Sequence, residues 1–187
     1  SFAVLGDPGD RGPAQYDVAA ALLREYGRSP FGGVLVLGDN VYDTGDPGLF
    51  DASIGQPYGP LRDRGVPFYP VLGNHDCMTE RGERQLRYWG DVPRRYRFAM
   101  ADGALECFAL DTTVLLPGYA SVYEDPADAA WADAEAEETL GWLRNALADS
   151  PARMRIVFGH YPVYTSGMHG SFLGSRRYQT TMRERLE

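Results

Sequence analysis

Short apolar runs without polar alternation recur along the chain, at Phe2 to Leu5, Gly33 to Leu37, Val66 to Leu72 and Arg155 to Phe158. Such runs predict strands covered on both faces, as in parallel sheets flanked by helices. Val18, Leu22 and Tyr26 recur at helical spacing, so Pro13 to Tyr26 predicts a helix, with Pro13 in its first turn and Gly27 as its stop. Strand, helix and strand in that order make a βαβ unit, expected to be parallel and right-handed.

The remaining pattern predicts further elements. Asp43 to Pro60, rich in Gly, Pro and Asp, reads as a loop with room for a short helix. Arg81 to Asp91 is polar and reads as an irregular excursion. Arg95 to Met100 and Ala104 to Leu110 flank Ala101-Asp102-Gly103, a hairpin signal. Asp128 to Ala148 predicts a long helix with Ala136, Leu140, Leu143 and Leu147 as its apolar stripe and acidic early turns that suit the helix dipole. Ser175 to Leu186 reads as a last helix with Ser175 at its N-cap. The expectation is an α/β fold in one domain over residues 1–187, without repeats, low-complexity tracts or linkers. Because the sequence ends at Glu187 inside a helical pattern, it is expected to continue beyond that residue.

Composition narrows the function classes. The 187 residues are 44% hydrophobic and 24% charged, ordinary for a globular domain. A net charge of −8 argues against nucleic acid as partner, since phosphate backbones attract basic surfaces. No apolar run approaches the roughly 20 residues that span a bilayer, so no membrane partner is expected. No signal-peptide pattern is visible, although a leader removed ahead of the first strand is compatible with this start. All 18 basic residues are Arg, which excludes a Lys nucleophile. Cys77 and Cys107 read as two buried small hydrophobes, with one bridge between them the alternative. Neither cysteine opens a Cys-x5-Arg loop, so a cysteine phosphatase is unsupported.

The chemistry lies at the strand ends. Gly6-Asp7-Pro8-Gly9-Asp10, Gly38-Asp39-Asn40-Val41-Tyr42, Gly73-Asn74-His75-Asp76 and Gly159-His160-Tyr161-Pro162-Val163 each close an apolar run with metal-ligand residue types. In an open α/β sheet the carboxyl-end loops share one edge, so ligands scattered in sequence converge there. Asp7 and Asp39 at adjacent strand ends repel unless a proton or a cation separates them. Taken singly, Asp7 before Pro8 and Gly9 reads as well as a turn residue. Tyr42 follows Asp39 by three residues, so a one-turn loop can bring carboxylate and phenol to one ion, and a phenolate favours a trivalent metal such as ferric iron. Asn74 and His75 are adjacent and point different ways, so one binds an ion and the other faces substrate. Asp76 fixes the loop or orients His75. His160 is a nitrogen ligand, and His169, in Gly167-Met168-His169-Gly170, is either a surface residue or a phosphate contact.

The series GD, GDNVY, GNHD and GHYPVY resembles the purple acid phosphatases of the metallophosphoesterase (calcineurin-like) superfamily, with GDNVY its most specific part. Gly141-Trp142-Leu143 and Leu110-Asp111-Thr112 look like the small tartrate-resistant branch. The resemblance covers Ser1 to about Gly170. It implies a four-layer α/β/β/α sandwich, its second sheet incomplete here, and a ferric ion beside a divalent iron, zinc or manganese. By the same resemblance Asp7 and Tyr42 would bind the ferric ion, Asp39 would bridge, and Asn74 and His160 would bind the divalent ion. His75 and His169 would face the phosphate. The implied activity is acid hydrolysis of phosphoric monoesters by a metal-activated water, on phosphorylated small molecules or phosphoproteins, by a secreted, lysosomal or periplasmic enzyme.

Two departures stand out. The family completes its metal shell with a Gly-His-x-His segment that these residues do not contain, and Met168 stands where the small branch usually has Glu. These departures favour an alternative, a non-catalytic structural or interaction module on the same fold. A second alternative keeps the enzyme and makes the substrate a phosphodiester or a nucleotide.

Overall fold

A computed structural model describes residues 1–116, 122–123, 125–165 and 173–186. Its strands form two separate three-stranded sheets. The first holds β1 (Ala3–Leu5), β2 (Val34–Val36) and β3 (Phe68–Pro70), all parallel and in that order. Helix α1 (Pro13–Arg28) joins β1 to β2, giving the βαβ unit expected from the sequence. Gly27 does not stop α1; the helix runs one residue further and ends where Ser29 turns extended. Nor does Val18 face inward, being 48% exposed, because Gln15 and Ala19 are the buried positions, with Leu22, Leu23 and Tyr26 packed beside them.

The second sheet holds β4 (Arg95–Met100), β5 (Leu105–Leu110) and β6 (Met154–Phe158). The antiparallel β4–β5 pair turns at Ala101–Gly103, where Asp102 and Gly103 both take positive φ, as the Asp-Gly signal requires. Strand β6 lies parallel to β5, with α5 (Pro126–Asp149) crossing between them. Pro126 occupies the first turn of α5, and the Asp125 side chain caps it by accepting from the Ala127 N–H.

The run Arg155 to Phe158 is a strand, as expected, and it joins the second sheet, while the runs that lead to Asp7, Asp39 and Asn74 form the first. The sheets meet through Leu35 and Val71 on one side and Cys107, Ala109 and Phe158 on the other. Tyr69 and Phe98 stack across this junction with ring centroids 3.6 Å apart. On its outer side the first sheet packs on α1 and on α2 (Gln56–Arg62), through Val34, Val36, Ala19, Tyr58 and Leu61. The outer side of β5 packs on α5, through Phe108, Leu110, Leu143 and Ala146.

Three further segments differ from expectation. Asp43 to Pro60 holds consecutive helical turns, closing on α2, because Phe50, Ile54 and Tyr58 are buried at helical spacing. Arg81 to Asp91 contains α4 (Glu83–Tyr88), whose Gln85 and Leu86 are buried among polar neighbours too numerous for a stripe to show. Helix α6 spans Leu173–Leu186, so Ser175 lies within it and not at an N-cap. Cys77 and Cys107 are both free and buried, as read from the sequence. Among the described residues no helix is long and apolar enough to cross a membrane.

Candidate metal centre

Each strand of the first sheet ends in a turn that presents one group to a common point. After β1, Asp7 takes φ 49°, and after β2, Asp39 takes φ 53°. Left-handed backbone at non-glycine residues persists only where its surroundings hold it, and it clusters at functional sites. After β3, Gly73 leads into the short helix α3 (Asn74–Cys77). Gly73 is needed for space: a β-carbon there would lie 2.2 Å from Asp39 Oδ1 and 2.3 Å from Asp39 N. His160 arrives from β6 of the other sheet.

One ligand atom from each of Asp7, Asp39 and His160 lies within 4.8 Å of the other two. His160 Nδ1 is 2.8 Å from the Leu37 carbonyl oxygen and 3.7 Å from Asp7 Oδ1. A carbonyl accepts, so Nδ1 carries a proton, and in the neutral ring Nε2 then offers only a lone pair. Yet Nε2 lies 3.0 Å from Asn74 Oδ1 and 3.6 Å from Asp39 Oδ1. Lone pairs facing lone pairs are relieved by a second ring proton, by a turned Asn74 amide that brings Nδ2 to the ring, or by a shared cation, and the carboxylate of Asp39 beside them favours the cation. The donor set of carboxylates, amide oxygen and imidazole suits a metal ion.

The Tyr42 hydroxyl donates to Asp39 Oδ2 at 2.8 Å, so the carboxylate and phenol meet as the three-residue spacing predicts. Burial, then the hydrogen bond to Asp39, pushes the Tyr42 phenol well above its ordinary range. His75 donates its backbone N–H to Asp39 Oδ1 at 3.1 Å, and its ring leans on Tyr42 with centroids 4.5 Å apart. The His75 Nδ1 is bonded to the Asp43 carbonyl, and Nε2 stands 4.0 Å from Asp39 Oδ2. Asp7, Asp39, Tyr42, Asn74, His75 and His160 are thus brought together; His169 lies outside the described residues.

Asp76 fixes loops and does not orient His75. Its buried carboxylate accepts from the backbone N–H groups of Asn40, Val41 and Gly73 and from the Asn40 and Gln85 side-chain amides. The turns that carry Asp39 and Asn74 are thereby held to one buried acceptor. Burial pushes the Asp76 carboxyl up, to about 6, against the opposing pull of the Gly73 and Asn40 N–H groups and the Gln85 amide. Thr112, at the end of β5, accepts from the Tyr161 N–H at 3.0 Å and so fixes the His160 turn. Sequence reading assigned no role to Asn40, Gln85 or Thr112. For Asn40 the signal was its place inside Gly38-Asp39-Asn40, and for Thr112 its place inside Leu110-Asp111-Thr112; Gln85 carried none.

The chain matches the family described as Calcineurin-like phosphoesterase over residues 1–183. It is 30% identical to purple acid phosphatase 3 of Arabidopsis thaliana, over 91% of this chain and 50% of that protein. It is 29% identical to the tartrate-resistant acid phosphatase type 5 of Homo sapiens, over 73% of this chain and 46% of that protein. The chain therefore spans about half the length of the curated relatives it matches. Two solved structures share the fold. A dimetal phosphatase from Danio rerio superposes with TM-score 0.62 at 16% identity, covering 98% of this chain and 77% of that one. The GAP50 anchor in the inner membrane complex of Plasmodium superposes with TM-score 0.69 at 20% identity, covering 98% and 62%. With a mixed α/β fold of two small sheets, carboxylate, amide and imidazole donors gathered at their ends, and a family match along nearly its whole length, the chain belongs to the calcineurin-like phosphoesterases.

Proposed function

We propose that this chain carries most of a two-metal centre that hydrolyses phosphoric monoesters. Asp7 and Tyr42 would hold a ferric ion, Asn74 and His160 a divalent iron, zinc or manganese, and Asp39 would lie between the two. The observation that carries this reading is the approach of Asp7, Asp39 and His160 within 4.8 Å of one another. When bound, such a metal pair supplies an activated water and a clamp on the phosphoryl oxygens.

The chain's own groups do the positioning. Asp39 holds the Tyr42 hydroxyl and the His75 N–H, so the phenol and the imidazole keep a fixed relation to each other. His75, its Nδ1 donating to the Asp43 carbonyl, would present Nε2 to the substrate, where only a ring carrying a second proton could donate to charge building on a substrate oxygen. His169 would join it at the phosphate. No thiol nucleophile is called for: both cysteines are buried, and burial raises the Cys77 thiol above its ordinary range. The substrates would be phosphorylated small molecules or phosphoproteins, with neither nucleic acid nor membrane as partner, and the protein an exported one, secreted, lysosomal or periplasmic.

Fold alone does not choose between enzyme and scaffold, since one structural relative is named a dimetal phosphatase and another an anchor. The retained donors favour the enzyme, because an interaction module has no need of Asp7, Asp39 and His160 gathered within 4.8 Å of one another. The test is metal analysis combined with p-nitrophenyl phosphate hydrolysis at acid and neutral pH, before and after chelation. The expected result is two metals per chain, a violet tyrosinate band with iron, and activity that chelation removes and metal restores. A colourless, metal-free protein at every pH would overturn the proposal.

A further inference from the structure

Between the first ligand turn and α1 sits Arg11, with a left-handed φ of 64°. Its backbone N–H is accepted by Gln15 Oε1. Its Nη1 donates to the Tyr42 carbonyl, to the Gly9 carbonyl at 3.3 Å and to Ser53 Oγ at 3.3 Å. Gln15 Nε2 in turn donates to the Ser53 carbonyl, and both Gln15 and Ser53 are buried.

The two carbonyls come from the two loops that carry Asp7 and Tyr42. Those loops touch directly: the Gly9 N–H donates to the Asp39 carbonyl at 3.1 Å and the Tyr42 N–H to the Gly9 carbonyl at 3.3 Å. A β-carbon on Gly9 would lie 2.5 Å from the Asn40 carbonyl, so nothing larger than glycine fits between them. Two carbonyl oxygens cannot bond each other, and a cationic donor between them draws both inward with charge-assisted hydrogen bonds.

We propose that Arg11 is a positioning residue for the Asp7–Tyr42 half of the metal centre, its guanidinium fastening the loops after β1 and β2 at the spacing one ion requires. The inference rests on the two-metal reading above. Arg11 acts through the backbone of their loops, at the Gly9 and Tyr42 carbonyls. Its left-handed backbone costs energy that glycine would not incur, which fits a residue kept for its side chain.

That cost makes the test clean. Arg11→Gly removes the guanidinium while relieving the backbone, so the fold should persist. Metal-free wild type, Arg11→Gly and Arg11→Lys would be titrated with ferric citrate, followed by the visible tyrosinate band, and then with zinc on the iron-loaded protein, followed by calorimetry. In Arg11→Gly, ferric affinity should fall about 10- to 100-fold, the usual loss when a group supporting a ligand is removed. The band should also shift and zinc binding should hold, whatever the change in thermal midpoint. Arg11→Lys, with a point charge in place of a fork, should recover part of the loss. An unchanged ferric affinity and band in Arg11→Gly would overturn the inference. So would parallel losses of iron, zinc and thermal midpoint, the mark of a merely structural residue. A wild type that takes neither metal would fail the two-metal reading itself, which a wild-type titration separates from failure at Arg11.

Discussion

The Tyr42 hydroxyl donates its proton to Asp39 Oδ2 across 2.8 Å. In the metal-free protein the phenol is therefore neutral, and burial together with Asp39 keeps it so far above its ordinary range. Only a strongly polarising cation should ionise it. Iron loading is expected to produce a violet band in wild type and none in Tyr42→Phe, while zinc binding survives the substitution. Absorbance titration checks this; a band of full intensity in Tyr42→Phe would place the chromophore elsewhere.

Two glycines at strand ends should respond oppositely to alanine. At Gly73 a β-carbon would lie 2.2 Å from Asp39 Oδ1, whereas at Gly6 nothing lies within 4 Å. Gly73→Ala is expected to push Asp39 away and weaken both metals, by about 10-fold or more. Gly6→Ala should bind metal as wild type does. Metal content after dialysis distinguishes the two, and equal retention would contradict the steric account.

Asp76→Asn turns an amide donor toward groups that all donate, and should cost about 2–4 kcal/mol. A pH signature accompanies that loss. The folded carboxyl, at about 6, lies above its ordinary value of 3.8 because of burial, so folding takes up a proton between the two. Stability from this group is complete below that ordinary value and is lost as pH rises through about 6. Chemical unfolding of the metal-free proteins should show wild type losing its margin over Asp76→Asn across that interval. A margin independent of pH would count against the shift.

Thr112→Val leaves the buried Tyr161 N–H without its acceptor and should cost about 1–3 kcal/mol. The His160 turn should loosen with it, so the metal held by His160 should weaken more than the metal at Tyr42. Calorimetric titration of each metal measures the asymmetry.

Much of this was legible in the sequence, for local reasons. The β1–α1–β2 unit, the Asp-Gly hairpin and α5 are each written by neighbouring residues, as is the Asp39–Tyr42 contact. Helix α4 was hidden because only Gln85 and Leu86 bury, and a glutamine facing inward registers as polar until Asp76 is known to receive it. The sheet assignment of β6 was hidden for another reason: an apolar run states that it will be covered, not by which neighbour. Arg11 drew no reading at all, because its partners are chiefly carbonyls, which every residue has and no pattern marks.

Asp7, Asp39 and Asn74 hang from one sheet and His160 from the other, with the Tyr69–Phe98 stack and a hydrogen bond from the Tyr96 hydroxyl to the Pro70 carbonyl filling the seam. The distance of His160 from the other candidate ligands is accordingly gauged by side chains remote from all of them. A thicker or thinner ring in that seam would retune the reactive cluster from behind, as a shim beneath one jaw of a vice resets its bite.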